Sequence, residues 1–139
     1  MKIYKEKQSL QHYILNEVSP LTVKEVDIRQ PFERAITQIY LNNQSLQIEK
    51  QAWLEYILFE KNERNNLQRA KLLYERALIS LDSDLHFWLQ YVDFIQRSLK
   101  DYASVRAKFE ARKASIGTYN SNDIVELMLE NAAFEEEQK

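Results

Sequence analysis

Glycine and proline are almost missing from this chain, which has one Gly and two Pro in 139 residues. At average usage a chain of this length holds roughly ten glycines and seven prolines. All-β and α/β folds spend these residues at their many turns, so the shortage predicts an all-α protein. A single Gly also excludes the glycine-rich phosphate loops, because neither GxGxxG nor GxxxxGK can be assembled. Cysteine is absent altogether, which excludes disulfides, thiolate metal sites and cysteine nucleophiles. Long apolar runs are absent too, so no stretch of the sequence reads as a transmembrane helix. The N-terminal MKIYKEKQSLQHY is too polar for a secretory signal. Neither sign of charge dominates: 19 Lys+Arg face 21 Asp+Glu, which makes no general electrostatic case for nucleic-acid binding.

What is present is a soluble globular balance, with 45% hydrophobic and 29% charged residues, enough for one domain with a real core. Apolar residues recur at helical spacing along the whole chain. A first stripe of Ile3, Leu10, Ile14 and Val18 predicts a helix over 2–17, broken at Ser19-Pro20. Thr22-Val23-Lys24-Glu25 has the form of a capping box and starts the next helix, which reaches about Leu41. Pro31 falls inside it, so the helix either kinks near Gln30 or restarts with Pro31 in its first turn. Further helices are predicted over about 46–62, from the Asn65-Asn66 cap to about Leu81, from Asp82-Ser83-Asp84 through Ile95, and from Lys100-Asp101 to Ala114. Gly117 is well placed as a C-cap, and Asp123 as the cap of a final helix through Phe134.

A repeat underlies these helices. Trp53, Tyr56, Phe59 and Trp88, Tyr91, Phe94 are two copies of W-x-x-Y-x-x-F, 35 positions apart. Tyr74-Glu75 and Phe109-Glu110 are separated by the same 35 positions. Phe32-Glu33-Arg34-Ala35-Ile36 matches Tyr74-Glu75-Arg76-Ala77-Leu78, and Met128, Asn131 and Phe134 stand at the W, Y and F places of a decayed third copy. The unit is therefore a helix pair. Its first helix, A, carries the aromatic ridge; its second, B, carries an aromatic followed by Glu. Residues three apart share a helical face, so each ridge packs into its own helix B and the next repeat. Such a period belongs to helix–turn–helix solenoids, an α-α superhelix. The residues expected to carry repeat packing are Phe32, Trp53, Tyr56, Phe59, Tyr74, Glu75, Ala77, Trp88, Tyr91, Phe94, Phe109, Glu110 and Phe134.

These motifs resemble HAT (half-a-TPR) repeats, tetratricopeptide relatives of RNA-processing proteins. The likeness rests on Trp53-Leu54-Glu55-Tyr56-Ile57-Leu58-Phe59-Glu60, its copy from Trp88 to Phe94, and Arg69 to Leu78. The order Phe32-Glu33-Arg34-Ala35-Ile36, Tyr40, Leu46, Trp53 to Glu60, then Phe87-Trp88-Leu89-Gln90-Tyr91, is similar to the family of pre-mRNA-processing factor thirty-nine. Val105-Arg106 and Ala132-Ala133-Phe134-Glu135-Glu136 extend the resemblance to about residues 29–137. Crooked-neck spliceosome scaffolds share Gln68 to Leu78, and cleavage-stimulation HAT proteins are a third option. Ile39, Arg112 and Met128 depart from the family pattern. The resemblance implies a nuclear, non-enzymatic interaction scaffold in splicing, a component of the U-one small nuclear ribonucleoprotein acting in five-prime splice-site recognition. It implies protein subunits as partners, a HAT-mediated homo- or heterodimer, RNA contact that is indirect or weak, and no membrane.

The expected organisation is an N-terminal helix and linker over 1–21 and a HAT domain over 22–139. The domain holds pairs at about 46–81 and 83–115 and partial repeats at 22–41 and 122–139. A final helix A without a helix B leaves Leu127, Met128 and Phe134 partly uncovered, so the expectation is a piece of a longer solenoid or a partner on this end. No cofactor, metal or catalytic residue is expected. His12 and His86 have no ligand set around them, and His86 suits a capping or half-buried role at a helix start. Asp82 and Asp84 suit a helix N-terminus, and Glu135-Glu136-Glu137 a solvated helix end. Repeated Glu75 and Glu110, with Arg34 and Arg76, suit pairing between adjacent helices. Arg106, Lys108, Arg112 and Lys113 cluster on one helix, a solvated face or, as the sharper reading, a contact for RNA or an acidic peptide.

Overall fold

The computed structural model describes residues 23–115 and 120–139. The expected helix over 2–17, the Thr22 cap and the Gly117 C-cap lie outside these residues. Among the described residues all regular structure is helical. The α-helices are α1 (Val23–Leu41), α2 (Leu46–Leu58), α3 (Leu67–Leu81), α4 (Leu85–Phe94), α5 (Tyr102–Ala114) and α6 (Ser121–Glu137). The chain forms two compact units, Met1–Ala52 and Trp53–Lys139, with the boundary inside α2.

In the first unit α1 continues through Pro31 as one helix, so of the two alternatives the restart does not occur. Its inward residues are Ile36 and Arg29. The Arg29 guanidinium donates to the Glu25 carboxylate at 2.8 Å and to the Glu25 carbonyl at 3.0 Å, a pairing one turn apart. The α1–α2 link turns at Asn43, whose φ is 52°, and Ser45 Oγ accepts from the Ile48 N–H at 3.4 Å to open α2.

The second unit holds the aromatic repeats. Both A helices, α2 and α4, loosen into a π turn at their C-terminal ends, over Phe59–Glu63 and Ile95–Leu99. Each π turn is followed by a residue in the left-handed region, Asn65 at φ 50° and Lys100 at φ 56°. The next residue then serves two helices at once. The Asn66 N–H closes helix A on the Glu60 carbonyl at 2.8 Å, while the Asn66 side chain caps α3 by accepting from the Arg69 N–H at 3.1 Å. Asp101 does the same, with its N–H on the Ile95 carbonyl at 3.3 Å and its carboxylate on the Ser104 N–H at 3.2 Å. This closure reaches six positions back, one more than a Schellman bond, as the π turn requires, and the left-handed residue in such a closure is ordinarily glycine. Here Asn and Lys supply it, which is how the repeat turns without Gly.

Helix starts follow the same economy. Asp84 caps α4 by accepting from the Phe87 N–H at 3.1 Å. The cap of α6 is Asn120, not Asp123: the Asn120 side chain accepts from the Asp123 N–H at 2.8 Å. Asp123 lies in the first turn, where its charge meets the helix dipole. Within this unit the short links that follow α3 and the two π turns set successive helices antiparallel.

Apolar burial in this unit is continuous from Trp53 to Phe134. Ala70, Ala77, Phe87, Ile95, Val105 and Leu127 have no exposed surface. Each large side chain removed from water contributes about 1.5–3 kcal/mol, so this seam dominates the unit's stability.

Candidate functional site

The repeat seam is built around the aromatic of helix B. Tyr74 on α3 meets Phe87, Tyr91 and Phe94 of the next helix A, with ring centroids at 5.6, 5.3 and 5.2 Å. Phe109 on α5 does the same one repeat later. It stands edge-on to Trp88 of its own repeat at 5.4 Å and stacks on Phe134 of α6 at 5.8 Å. Offset and edge-to-face pairs of this kind add about 0.5–1.5 kcal/mol each beyond burial. Trp53, Tyr56, Phe59, Tyr74, Ala77, Trp88, Tyr91, Phe94, Phe109 and Phe134 are all buried, and Phe32 in the first unit is half-buried.

The third copy takes its register from these contacts. His86 Nδ1 lies 3.4 Å from the Glu126 carboxylate, and Arg97 lies 3.5 Å from Glu137. Both pairs, like Phe94 and Phe134, are 40 positions apart. α4 and α6 therefore run parallel, with Met128, Asn131 and Phe134 in the places of Trp88, Tyr91 and Phe94. Leu127 and Phe134 are fully covered, contrary to the expectation that the last helix leaves them open; Met128 is 41% exposed. The adjoining α5 covers Phe134 through Phe109 and Arg106. His86 is exposed rather than half-buried, and the capping role belongs to Asp84.

Cations finish the seam on its outer side. Arg76 lies over Trp53 at 5.1 Å and Arg112 over Trp88 at 4.8 Å, the same device in both repeats. Arg112 also donates to the Asp82 carbonyl at 2.9 Å and the Asp82 carboxylate at 3.1 Å. Lys108 sits over Tyr91 at 5.1 Å, and Lys113 pairs with Glu110 at 2.8 Å on its own helix. Arg106 donates two N–H groups to Glu135 at 3.0 and 3.2 Å and lies over Phe134 at 5.6 Å. That bidentate pair holds the Glu135 carboxyl below its usual range, with Lys113 adding to the effect. All four cations considered for outside contact thus have internal partners. Glu75 and Glu110 are exposed; Glu110 pairs along its own helix with Lys113, while Glu75 on α3 acts on Tyr91 of the adjacent α4.

Burial pushes the Tyr74 phenol up to about 12, with Asp93 adding to it. Burial, followed by the Glu75 carboxylate, raises Tyr91 further. Glu75 is thus the polar group that reaches the buried Tyr91 hydroxyl. Asn131, its counterpart in α6, has a buried carbonyl oxygen without a partner among the described residues.

One pairing escaped sequence reasoning. Glu60, the eighth residue of the first aromatic motif, is fully buried and meets Arg69 Nε at 3.1 Å. The second repeat has Ile95 and Ser104 at these places. A readable signal existed in the swap of Glu for Ile at an otherwise apolar position. A recess of about 240 Å³ opens near Lys61, Tyr74, Asp93 and Arg97. Its charges are matched internally, with Arg97 on Asp93 at 2.7 Å. Among the described residues no cluster of three His, Asp or Glu is placed to hold a metal, and no helix is long and apolar enough to cross a membrane.

Residues 27–139 match the family model described as the PRP39 C-terminal HAT repeat. No curated protein and no solved structure matches the chain.

Proposed function

Since the chain belongs to the PRP39 C-terminal HAT-repeat family, we propose that it works as a non-enzymatic interaction scaffold in nuclear pre-mRNA splicing, as a component of the U-one small nuclear ribonucleoprotein in five-prime splice-site recognition. HAT-repeat domains mediate protein–protein interactions in RNA-processing complexes, and members of this family are helical-repeat proteins related to splicing. The observation that carries the reading is the family match over residues 27–139, together with a seam that spends its aromatic and basic residues on holding helix pairs rigid. A rigid stack of helices presents its outer faces to partners, which is the physical basis of solenoid recognition. Protein subunits of the particle are the partners in this reading, with a HAT-mediated homo- or heterodimer among them, and RNA contact is indirect or weak. The internal engagement of Arg106, Lys108, Arg112 and Lys113 supports that last point.

A pull-down from nuclear extract with mass spectrometry tests the proposal. Recovery of U-one particle proteins supports it. Recovery of the polyadenylation machinery, or of crooked-neck partners alone, overturns it. A salt-dependent shift of single-stranded RNA would instead favour direct RNA binding, because phosphate contacts give a steep salt slope.

A further inference from the structure

Helix α6 has two unlike sides. Leu127 and Phe134 are buried on one. On the other, Val125, Met128 and Leu129 are exposed to 57%, 41% and 65%. With Ala132 they follow the i, i+3, i+4, i+7 spacing by which one helix packs on another. Single exposed apolar side chains are ordinary, but three large ones in one stripe mark an interaction face.

The stripe lies in an acidic setting. α6 contains Asp123, Glu126, Glu130, Glu135, Glu136 and Glu137, and no Lys or Arg. Glu126 and Glu130 stand about one turn apart beside Leu129, and Glu136 follows at the C-terminal end of the stripe. The way a helix meets α6 is visible on its other side. There α5, with Arg106, Lys108, Arg112 and Lys113 against the single Glu110, applies an aromatic to Phe134 and a bidentate Arg to Glu135. Apolar contact flanked by basic side chains is thus the chemistry that fits an α6 face.

We propose that Val125, Met128, Leu129 and Ala132 form the docking surface for a basic amphipathic helix of a partner protein. Its apolar stripe lies on these residues, and its Lys and Arg side chains meet Glu126, Glu130 and Glu136. The inference rests on the scaffold reading and adds to it a surface and a partner chemistry.

The test is fluorescence anisotropy of the full chain with a labelled synthetic 18-residue helix carrying a Leu stripe flanked by Lys and Arg (about five turns long). A copy with Glu in place of the basic residues is the control. Saturable binding of the basic helix, about tenfold weaker in Leu129→Glu and in Val125→Lys, supports the proposal. Ile79→Glu, at a residue 85% exposed on α3, should leave binding unchanged. Circular dichroism confirms that each variant is folded. Equal binding of the acidic copy, or no loss in either α6 variant, overturns the proposal. So does self-association in sedimentation that Leu129→Glu abolishes while the basic helix fails to compete, since the face would then belong to a second copy. None of these outcomes bears on which particle proteins the nuclear pull-down recovers, so the surface and the splicing role fail separately.

Discussion

The Glu60 carboxylate, with no exposed surface, accepts from Arg69 Nε at 3.1 Å across the first A–B helix pair. A buried ion pair is rarely worth more than a well-packed apolar one. Breaking it from one side is another matter. Arg69→Ser removes a charged partner from a buried carboxylate and should cost about 3 kcal/mol. Replacing both groups with the second repeat's residues, Glu60→Ile with Arg69→Ser, should recover most of that loss. Urea denaturation of the two singles and the double measures the coupling. A double variant as unstable as the sum of the singles would show that the residues act independently.

Lys100 holds a left-handed conformation at φ 56° with a Cβ that resists it. Lys100→Gly should raise stability by about 0.5–1 kcal/mol, offset in part by the added freedom of the unfolded chain. Asn65→Gly at the matching turn should gain less, because Asn tolerates this region. Differential scanning calorimetry compares the two.

Cap assignments separate cleanly. Asn120→Ala removes the acceptor for the Asp123 N–H and should cost about 1 kcal/mol. Asp123→Ala loses only a charge near the helix N-terminus, about 0.3–1 kcal/mol and sensitive to salt. Thermal unfolding at low and high salt checks both, and a larger loss for Asp123 would reverse the assignment.

Alkaline pH should weaken the fold through the tyrosines of the seam. Tyr74 is raised to about 12 when folded, against an ordinary 10.0. The folded state therefore holds the proton more tightly than the unfolded chain. The resulting stability is fully present below pH 10 and is lost as pH rises from about 10 to 12. Tyrosinate absorbance should show Tyr74 and Tyr91 ionising last, and Tyr74→Phe with Tyr91→Phe should remove that late phase. A titration in which all tyrosines ionise together would contradict the burial.

Arg112 joins the α3–α4 link to α5 through Asp82 and covers Trp88. Arg112→Lys keeps the charge but loses the planar fork, and should destabilise by about 1 kcal/mol. Arg112→Met keeps the stem and tests whether packing alone suffices. Melting curves of both decide which part of the side chain matters.

The aromatic spacing from Trp53 to Phe94 already implied paired helices, because residues three apart share a face whatever surrounds them. Near absence of Gly and Pro implied that Asn, Asp and Ser would carry the turns, and Ser45, Asn66, Asp84, Asp101 and Asn120 do so through local side-chain acceptors. These are short-range matters, settled within one turn of backbone. Tertiary structure decided the rest. That Glu60 is buried with Arg69 depends on how closely two helices approach, which no spacing encodes. Whether Arg106 and Arg112 face solvent or a neighbour depends on where α6 and the α3–α4 link come to lie. The same is true of Phe134, which one helix alone cannot cover and α5 does. Local preference chooses the helices and their caps, while the distances between helices choose which charges and rings are spent in holding them.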